Sequence, residues 1–140
     1  MAAPSPPPLP RPYQDTAAYW QAAREHRFII QKCADCAEFQ FYPRGVCSHC
    51  LSSALEWEEA SGQGEVYSFS INYRAPHPGF ADKTPFVLAL VTLAEGPRMM
   101  TNITECEQTP EALELDMALE VVFEDISDEI SLPKFRPAKS

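Results

Sequence analysis

Four regularly spaced cysteines are the residues of this sequence best suited to chemistry. They form the pattern Cys33-x2-Cys36-x10-Cys47-x2-Cys50 within 18 residues. Two such pairs can bring four thiolates to one tetrahedral point, and zinc accepts four soft ligands without a geometric demand of its own. Because all four positions are sulfur, no ligand position is left for water. We therefore expect one structural Zn²⁺, with iron in a rubredoxin-like site as the chemical alternative.

The other residues that could take part in catalysis are scattered along the chain. Cys106 stands between Glu105 and Glu107, and neighbouring carboxylates raise the pKa of a thiol and weaken it as a nucleophile. No serine or cysteine lies in a nucleophile context. The three histidines are far apart in the sequence, at His26, His49 and His77. We expect no catalytic residue in the chain.

The charge of the chain excludes some classes of partner. It has 140 residues, 20 acids against 11 bases and a formal charge of −9, which opposes a general affinity for nucleic acid. Residues 99–133 hold ten acids and no base, as expected of a solvated face.

No apolar stretch approaches the roughly 20 residues needed to span a bilayer, and the first residues do not resemble a secretory signal. We expect a cytoplasmic protein with no membrane contact and reduced, metal-binding cysteines.

The N-terminal part of the chain divides into an arm, a helix and the cysteine region. Residues 1–12 hold six of the fourteen prolines, so we expect a disordered proline-rich arm. Asp15 or Thr16 can cap a short helix with an apolar stripe. Leu55 and Trp57 alternate with acids in a half-buried strand. The predicted units are an arm at 1–14, a helix at 15–27, a zinc ribbon at 28–56 and a barrel at 57–137.

The second half of the chain has the pattern of a small β domain. Period-two alternation over 67–73 predicts a strand, and the almost wholly apolar segment 86–93 predicts a strand covered on both faces. Further strands are expected at 98–104, 119–123 and 130–135, with a helical turn from Thr109. The predicted fold is mostly β, with a five-stranded closed barrel of the OB type. A small open antiparallel sheet is the alternative.

Taken together, these motifs resemble one family, the acyl-CoA-associated zinc-ribbon/OB-fold proteins long filed as a domain of unknown function. The resemblance covers residues 15–137. Besides the cysteine pairs it rests on Tyr19, Trp20, Phe41-Tyr42-Pro43-Arg44, Trp57, Ser61-Gly62-x-Gly64, Pro85-Phe86, Leu93-x-Glu95-Gly96-Pro97 and Leu132-Pro133-x-Phe135. The chain departs from the family pattern at three turn positions where glycine is usual: Ala37, Leu51 and Asp116.

The resemblance implies a non-catalytic accessory subunit of a thiolase-like enzyme, such as a thiolase, an aldolase or an acyltransferase. The ribbon and helix would dock on the catalytic subunit, and the barrel would help to form an acyl-CoA channel. A two-plus-two assembly would follow from the symmetry of a dimeric thiolase.

Coenzyme A is a polyanion, so an acidic chain can bind it only through a local cluster of bases. The candidates are Lys32 and Arg44 near the ribbon, and Arg74, Lys83 and Arg98 near the barrel. Tyr67, Phe69 and Tyr73 are expected to line either an acyl slot or the barrel core.

A different class of function is open to the same fold. OB barrels and zinc ribbons both occur in proteins that bind single-stranded nucleic acid, where exposed aromatic side chains stack on the bases. The net charge argues against this alternative, and a gel shift at low salt would test it.

Overall fold

The structure of the protein is a computed structural model, and it describes residues 8–138. Part of the predicted arm, residues 1–7, lies outside the described residues, and residues 8–12 have no regular structure. The chain is mostly β, which confirms the predicted fold class. Its one α-helix and eight strands within the described part are α1 (Ala17–Arg24), β1 (Ile29–Cys33), β2 (Phe39–Gln40), β3 (Leu55–Glu59), β4 (Gln63–Asn72), β5 (Phe86–Leu93), β6 (Arg98–Thr101), β7 (Ala118–Asp125) and β8 (Ser131–Pro137).

Helix α1 packs an aromatic and alanine face against the start of the ribbon. Tyr19 is buried and meets Phe28 and Phe41 in edge-on ring contacts at 6.4 and 5.7 Å between centroids. Thr16 occupies the N-cap position, but its hydroxyl accepts a hydrogen bond from the backbone N–H of Tyr13 and caps no helical N–H. A helix of eight residues is too short to be stable alone in water. Its position therefore depends on this packing.

The cysteine region forms a three-stranded antiparallel sheet in the order β2-β1-β3. Strand β1 lies in the centre and ends at Cys33, which pairs with Leu55 at the start of β3. Strand β3 pairs with β1 and crosses the predicted boundary between residues 56 and 57. The first cysteine pair follows β1, and the second pair precedes β3, so the sheet brings the two pairs to the same end.

The remaining five strands form the curled sheet of an OB fold. Their order is β6-β5-β4-β7-β8. Ile103, which follows β6, forms an isolated parallel bridge with Phe135 of β8. There the backbone N–H of Phe135 donates to the carbonyl of Asn102, and the N–H of Thr104 donates to the carbonyl of Phe135. Phe135 is fully buried inside the barrel. The predicted strand 98–104 is thus strand β6 followed by this single bridge.

Strand β5 differs from its prediction because only one of its faces is buried. Val87, Ala89, Val91 and Leu93 point into the core, whereas the alternate residues 86, 88, 90 and 92 are half-buried on the outer side of the barrel. An almost wholly apolar strand thus leaves three apolar side chains, Phe86, Leu88 and Leu90, on an outer surface. The expectation that it is covered on both faces is wrong for this chain.

Strand β4 contains an irregularity that reverses which residues face the core. Its register with β5 shifts between Val66 and Ser68. Val66 is fully buried, and beyond the shift Phe69 and Ile71 pack against the core. Tyr67, the extra residue, points outward and is 49% exposed. A β-bulge of this kind inserts one residue and moves all later side chains to the opposite face.

The glycines of the motif Ser61-Gly62-x-Gly64 have structural roles. Gly62 has φ +78°, and its carbonyl accepts a hydrogen bond from the N–H of Val121. At Gly64 a Cβ atom would stand 2.7 Å from Val91 Cγ1 and 2.9 Å from the carbonyl oxygen of Thr92. The first glycine allows a left-handed turn, and the second allows β4 and β5 to approach closely.

Candidate metal centre and binding surfaces

The four predicted metal ligands lie together. The ligand atoms of Cys33, Cys36, Cys47 and Cys50 are all within 4.8 Å of one another. The sulfurs of Cys33 and Cys50 are 3.6 Å apart, as are those of Cys36 and Cys47. This spacing suits four sulfurs around one tetrahedral ion, since Zn–S bonds are about 2.3 Å long. The site can bind one zinc ion, as predicted.

Two turns of the same construction present the cysteine pairs. In the first turn the N–H of Ala37 donates to the carbonyl of Cys33, and in the second the N–H of Leu51 donates to the carbonyl of Cys47. Ala37 and Leu51 have φ values of 65° and 67°, the left-handed region that usually requires glycine. The departures from the family pattern therefore keep the turn geometry and leave strain at both positions.

A pair of buried glutamines fixes the loop that carries the second cysteine pair. Gln31 Oε1 accepts hydrogen bonds from the backbone N–H of Arg44 and from Gln40 Nε2, and Gln31 Nε2 donates to the carbonyl of Arg44. Gln40 Oε1 accepts from the backbone N–H of Ser48. Sequence reasoning missed these two residues. The available signal was a glutamine at the centre of strand β1, directly after two isoleucines.

Cys36 and Cys47 have different thiol pKa values when no cation is bound. Desolvation opposes the thiolate of Cys47, but the N–H groups of Cys50 and His49 outweigh it and lower the pKa of Cys47 to about 6. The N–H of Glu38 favours the thiolate of Cys36, but burial and the neighbouring thiols raise its pKa to about 12. All four sulfurs become thiolates only when a cation compensates their charge, so metal binding releases protons.

The predicted coenzyme A-binding bases do not form a single cluster. Arg98 borders a cleft between the ribbon and the β5–β6 turn, and its guanidinium lies 3.8 Å from the ring centre of Tyr67. Lys32 lies over the ring of Phe39, which lines the same cleft. Lys83 belongs to another part of the barrel, on the 3-10 helix Pro78–Lys83. The side chains of Arg44 and Arg74 are exposed and line neither of these places.

The three aromatic residues proposed for an acyl slot lie in different environments. Phe69 packs against the barrel core. Tyr67 lies outside under Arg98, and Tyr73, just beyond the strand, is 68% exposed. Only one of the three belongs to the core, and they do not line a common surface.

The histidines and the fifth cysteine have local structural contacts. His26 Nε2 lies 2.8 Å from Asp125 Oδ1, and its ring stacks on Phe123. This hydrogen bond lowers the pKa of Asp125. His77 Nδ1 accepts from the N–H of Gly79 at the start of the 3-10 helix. Burial and, secondarily, Glu107 raise the pKa of Cys106, which weakens it as a nucleophile.

No helix in residues 8–138 is both long enough and apolar enough to cross a membrane.

Comparisons with known protein families match two consecutive parts of the chain. A model of the ChsH2 rubredoxin-like zinc ribbon domain matches residues 20–56, and a model of the ChsH2 C-terminal OB-fold domain matches residues 57–124. A DUF35 domain-containing scaffold protein of Pyrococcus furiosus is 36% identical over 85% of this chain and 90% of its own length.

Two further comparisons concern relatives whose descriptions name a subunit and a two-component aldolase. A probable enoyl-CoA hydratase alpha subunit of Thermomonospora curvata is 37% identical over 94% of this chain, which spans 40% of that relative's length. A solved structure described as the Ltp2-ChsH2(DUF35) aldolase is 37% identical and superposes with a TM-score of 0.81 over 94% of this chain and 100% of the matched chain.

The family models, the four-sulfur site and the barrel topology agree with the resemblance found in the sequence. The chain belongs to the ChsH2/DUF35 family of zinc-ribbon and OB-fold proteins.

Proposed function

We propose that this chain is a non-catalytic accessory subunit that docks on a thiolase-like enzyme, stabilises it and helps to form its acyl-CoA channel. The observation that carries the proposal is the likeness to the Ltp2-ChsH2(DUF35) aldolase, where the whole of the matched chain is covered at 37% identity. The proposed partner is a thiolase, an aldolase or an acyltransferase.

The contacts of the candidate nucleophile and bases support a non-catalytic role. A nucleophile needs a base within hydrogen-bond reach. Within residues 8–138 the ring nitrogens of His26 and His77 bond to a carboxylate and to a backbone N–H, and neither bonds to a serine or cysteine. We therefore assign the reacting groups to the catalytic subunit.

The ribbon supplies a suitable docking element. It exposes three large apolar side chains: Tyr42 and Val46 lie before the second cysteine pair, and Leu51 follows that pair. Aromatic and apolar anchors on a rigid support are the usual source of binding energy in protein interfaces. We propose that this surface and helix α1 contact the catalytic subunit. A dimeric partner would then take up two copies, giving a two-plus-two assembly.

The cleft between ribbon and barrel is the part of the chain we assign to coenzyme A. It lies next to Lys32 and Arg98, two of the five proposed bases. Positive side chains are needed there because the chain as a whole repels phosphates. Arg44, Arg74 and Lys83 remain proposed contacts that the assembled channel would have to bring closer.

The experiment begins with the tagged full chain, purified with its bound partners from source cells and analysed by mass spectrometry. A thiolase-fold enzyme found there is then co-expressed with the chain. We expect a stable complex of two plus two chains by light scattering, acyl-CoA turnover by the complex and none by the isolated chain. Turnover of an acyl-CoA by the isolated chain, or failure of any thiolase-fold enzyme to bind it, would contradict the proposal.

Substitution of a ribbon anchor tests the docking surface. Val46→Asp places a charge among the apolar anchors and should weaken the complex at least tenfold. Tyr73→Asp is the control, because Tyr73 is also an exposed apolar side chain but lies next to β4 on the barrel. Equal weakening by both variants would place the interface elsewhere.

A further inference from the structure

The outer side of the barrel carries an apolar groove, which we call the loop groove. It lies between the β4–β5 loop (73–85) and the β7–β8 loop (126–130) and encloses about 360 Å³. Phe86 and Leu88, on the outer face of β5, and Leu132 of β8 line it. Phe80 and Ile126 line it from the two loops. OB folds commonly bind ligands between these same two loops.

The polar residues of the loop groove are already engaged within the protein. Asn102 Nδ2 donates to the carbonyl of Val87, and Gln108 Oε1 accepts from the N–H of Val87. The hydroxyl of Thr104 donates to the carbonyl of Phe135. A ligand rich in hydrogen-bonding groups, such as a nucleotide or a sugar, would find few free partners here. The groove suits a ligand with an apolar body.

The two lysines that line the loop groove, Lys83 and Lys134, differ in their ionic contacts. Lys134 forms an ion pair with Glu124. Lys83 lies 5.8 Å from the ring centre of Phe80, and its ammonium pairs with no carboxylate among the described residues. A cation beside an apolar cavity favours a ligand with a negative charge at one end.

We propose that the loop groove is a binding site for an apolar carboxylate of medium size, with its hydrocarbon body along Phe86, Leu88 and Leu132 and its carboxylate at Lys83. The volume lies at the lower end of small-molecule pockets, roughly 300–1,000 Å³, which suits a body of about a dozen carbons. The site belongs to the isolated chain and does not require the catalytic subunit of the proposed function.

Calorimetric titration of the zinc-loaded full chain with octanoate, decanoate and dodecanoate, below their micellar concentrations, tests the site. We expect one saturable site whose affinity rises with each added methylene, by at most about fourfold. Dodecan-1-ol should bind at least fivefold more weakly than dodecanoate, because it lacks the charge that faces Lys83. Absence of saturable binding, or an affinity that does not depend on chain length, overturns the proposal.

Two pairs of variants locate the bound molecule. Leu88→Glu should reduce dodecanoate affinity more than tenfold, whereas Leu90→Glu, on the same outer face of β5 but outside the groove, should not. Lys83→Gln should weaken dodecanoate about fivefold and leave dodecan-1-ol unchanged. Arg74→Gln removes the same charge from the same loop without touching the groove and should change neither.

Circular dichroism and zinc content confirm that each variant is folded. Equal losses in Leu88→Glu and Leu90→Glu, or equal losses of both ligands in Lys83→Gln, would overturn the assignment to this groove. Failure of these tests would leave docking on a thiolase-like enzyme untouched, since that is measured with the ribbon variants.

Discussion

Leu51 has a strained backbone conformation at a metal-binding turn. It adopts φ 67° directly after the second cysteine pair, and its side chain is 77% exposed. A left-handed conformation costs a non-glycine residue roughly 1–2 kcal/mol. Little packing offsets this cost, because the side chain mostly faces solvent. The turn gains no stability from the leucine, whose exposure suits the proposed docking surface.

Leu51→Gly should raise the stability of the zinc-loaded chain by roughly 0.5–1 kcal/mol, because relief of strain exceeds the entropy that glycine adds to the unfolded state. Urea unfolding measures the change. Leu115→Gly is the control, since Leu115 is also exposed but is not left-handed. It should lose about 0.4–1 kcal/mol. A loss of stability in both variants would show that the turn is not strained.

Gln31 supports the metal centre by fixing the loop that carries Cys47, and it is not itself a metal ligand. Its buried amide binds both backbone groups of Arg44 and the side chain of Gln40. Gln31→Leu leaves buried groups without partners, which costs about 1–3 kcal/mol, and frees the loop that carries Cys47. We expect lower stability and weaker zinc retention in chelator competition. Gln63→Leu, at an exposed position, should change neither, and normal zinc retention in Gln31→Leu would contradict this role.

At the scale of the elements, the bulge in β4 determines which of its side chains face the barrel core. The backbone N–H of Val66 donates to the carbonyl of Met117, and the N–H of Asp116 donates to the carbonyl of Val66. Asp116 is left-handed, at φ 64°. The bulge is thus held by a segment fifty residues away, and the close approach of β4 to β5 at Gly64 lies just before it.

Gly64→Ala should destabilise the barrel by about 1–3 kcal/mol, because the new methyl group would overlap Val91 and the backbone of Thr92. Gly45→Ala is the matched control: its Cβ would stand 3.6 Å from Asp15 Oδ2, an ordinary contact. Thermal unfolding of the two zinc-loaded variants makes the comparison. Equal melting temperatures would mean that the strands can separate at Gly64 without cost.

The sequence was sufficient for features that depend on local chemistry. The cysteine spacing predicts the four-sulfur site because each pair closes its own turn, and most strands lie within a few residues of their predicted positions. Period-two reasoning failed at Tyr67 because the bulge depends on distant backbone bonds. It failed on the outer face of β5 because apolar residues there line a groove and not a second layer. The grouping of Lys32 with Arg98, apart from Lys83, depends on the path of the whole chain.

At the scale of the whole molecule, the ribbon sheet and the barrel sheet pack against each other. The barrel supplies most of one continuous apolar core, including Val87, Leu119 and Phe135. The ribbon sheet is small and contributes Phe28, whose ring meets Phe135 edge-on at 6.3 Å. A sheet of this size buries too little surface to fold alone, and a structural metal commonly supplies the difference, on the order of 10 kcal/mol.

Removal of zinc from the full chain should therefore unfold the ribbon and leave the barrel folded. Hydrogen exchange should show loss of amide protection in β1 and β3, with protection retained in β5 and β8.

Cys47→Ser should behave like the metal-stripped chain, since it removes a buried ligand. Cys106→Ser, which removes the thiol outside the site, should keep one zinc per chain and full protection. Docking on the catalytic subunit should be lost with the ribbon. Protection that persists in β1 after zinc removal, or that disappears from both sheets together, would contradict the division of the molecule into a metal-dependent ribbon and a self-supporting barrel.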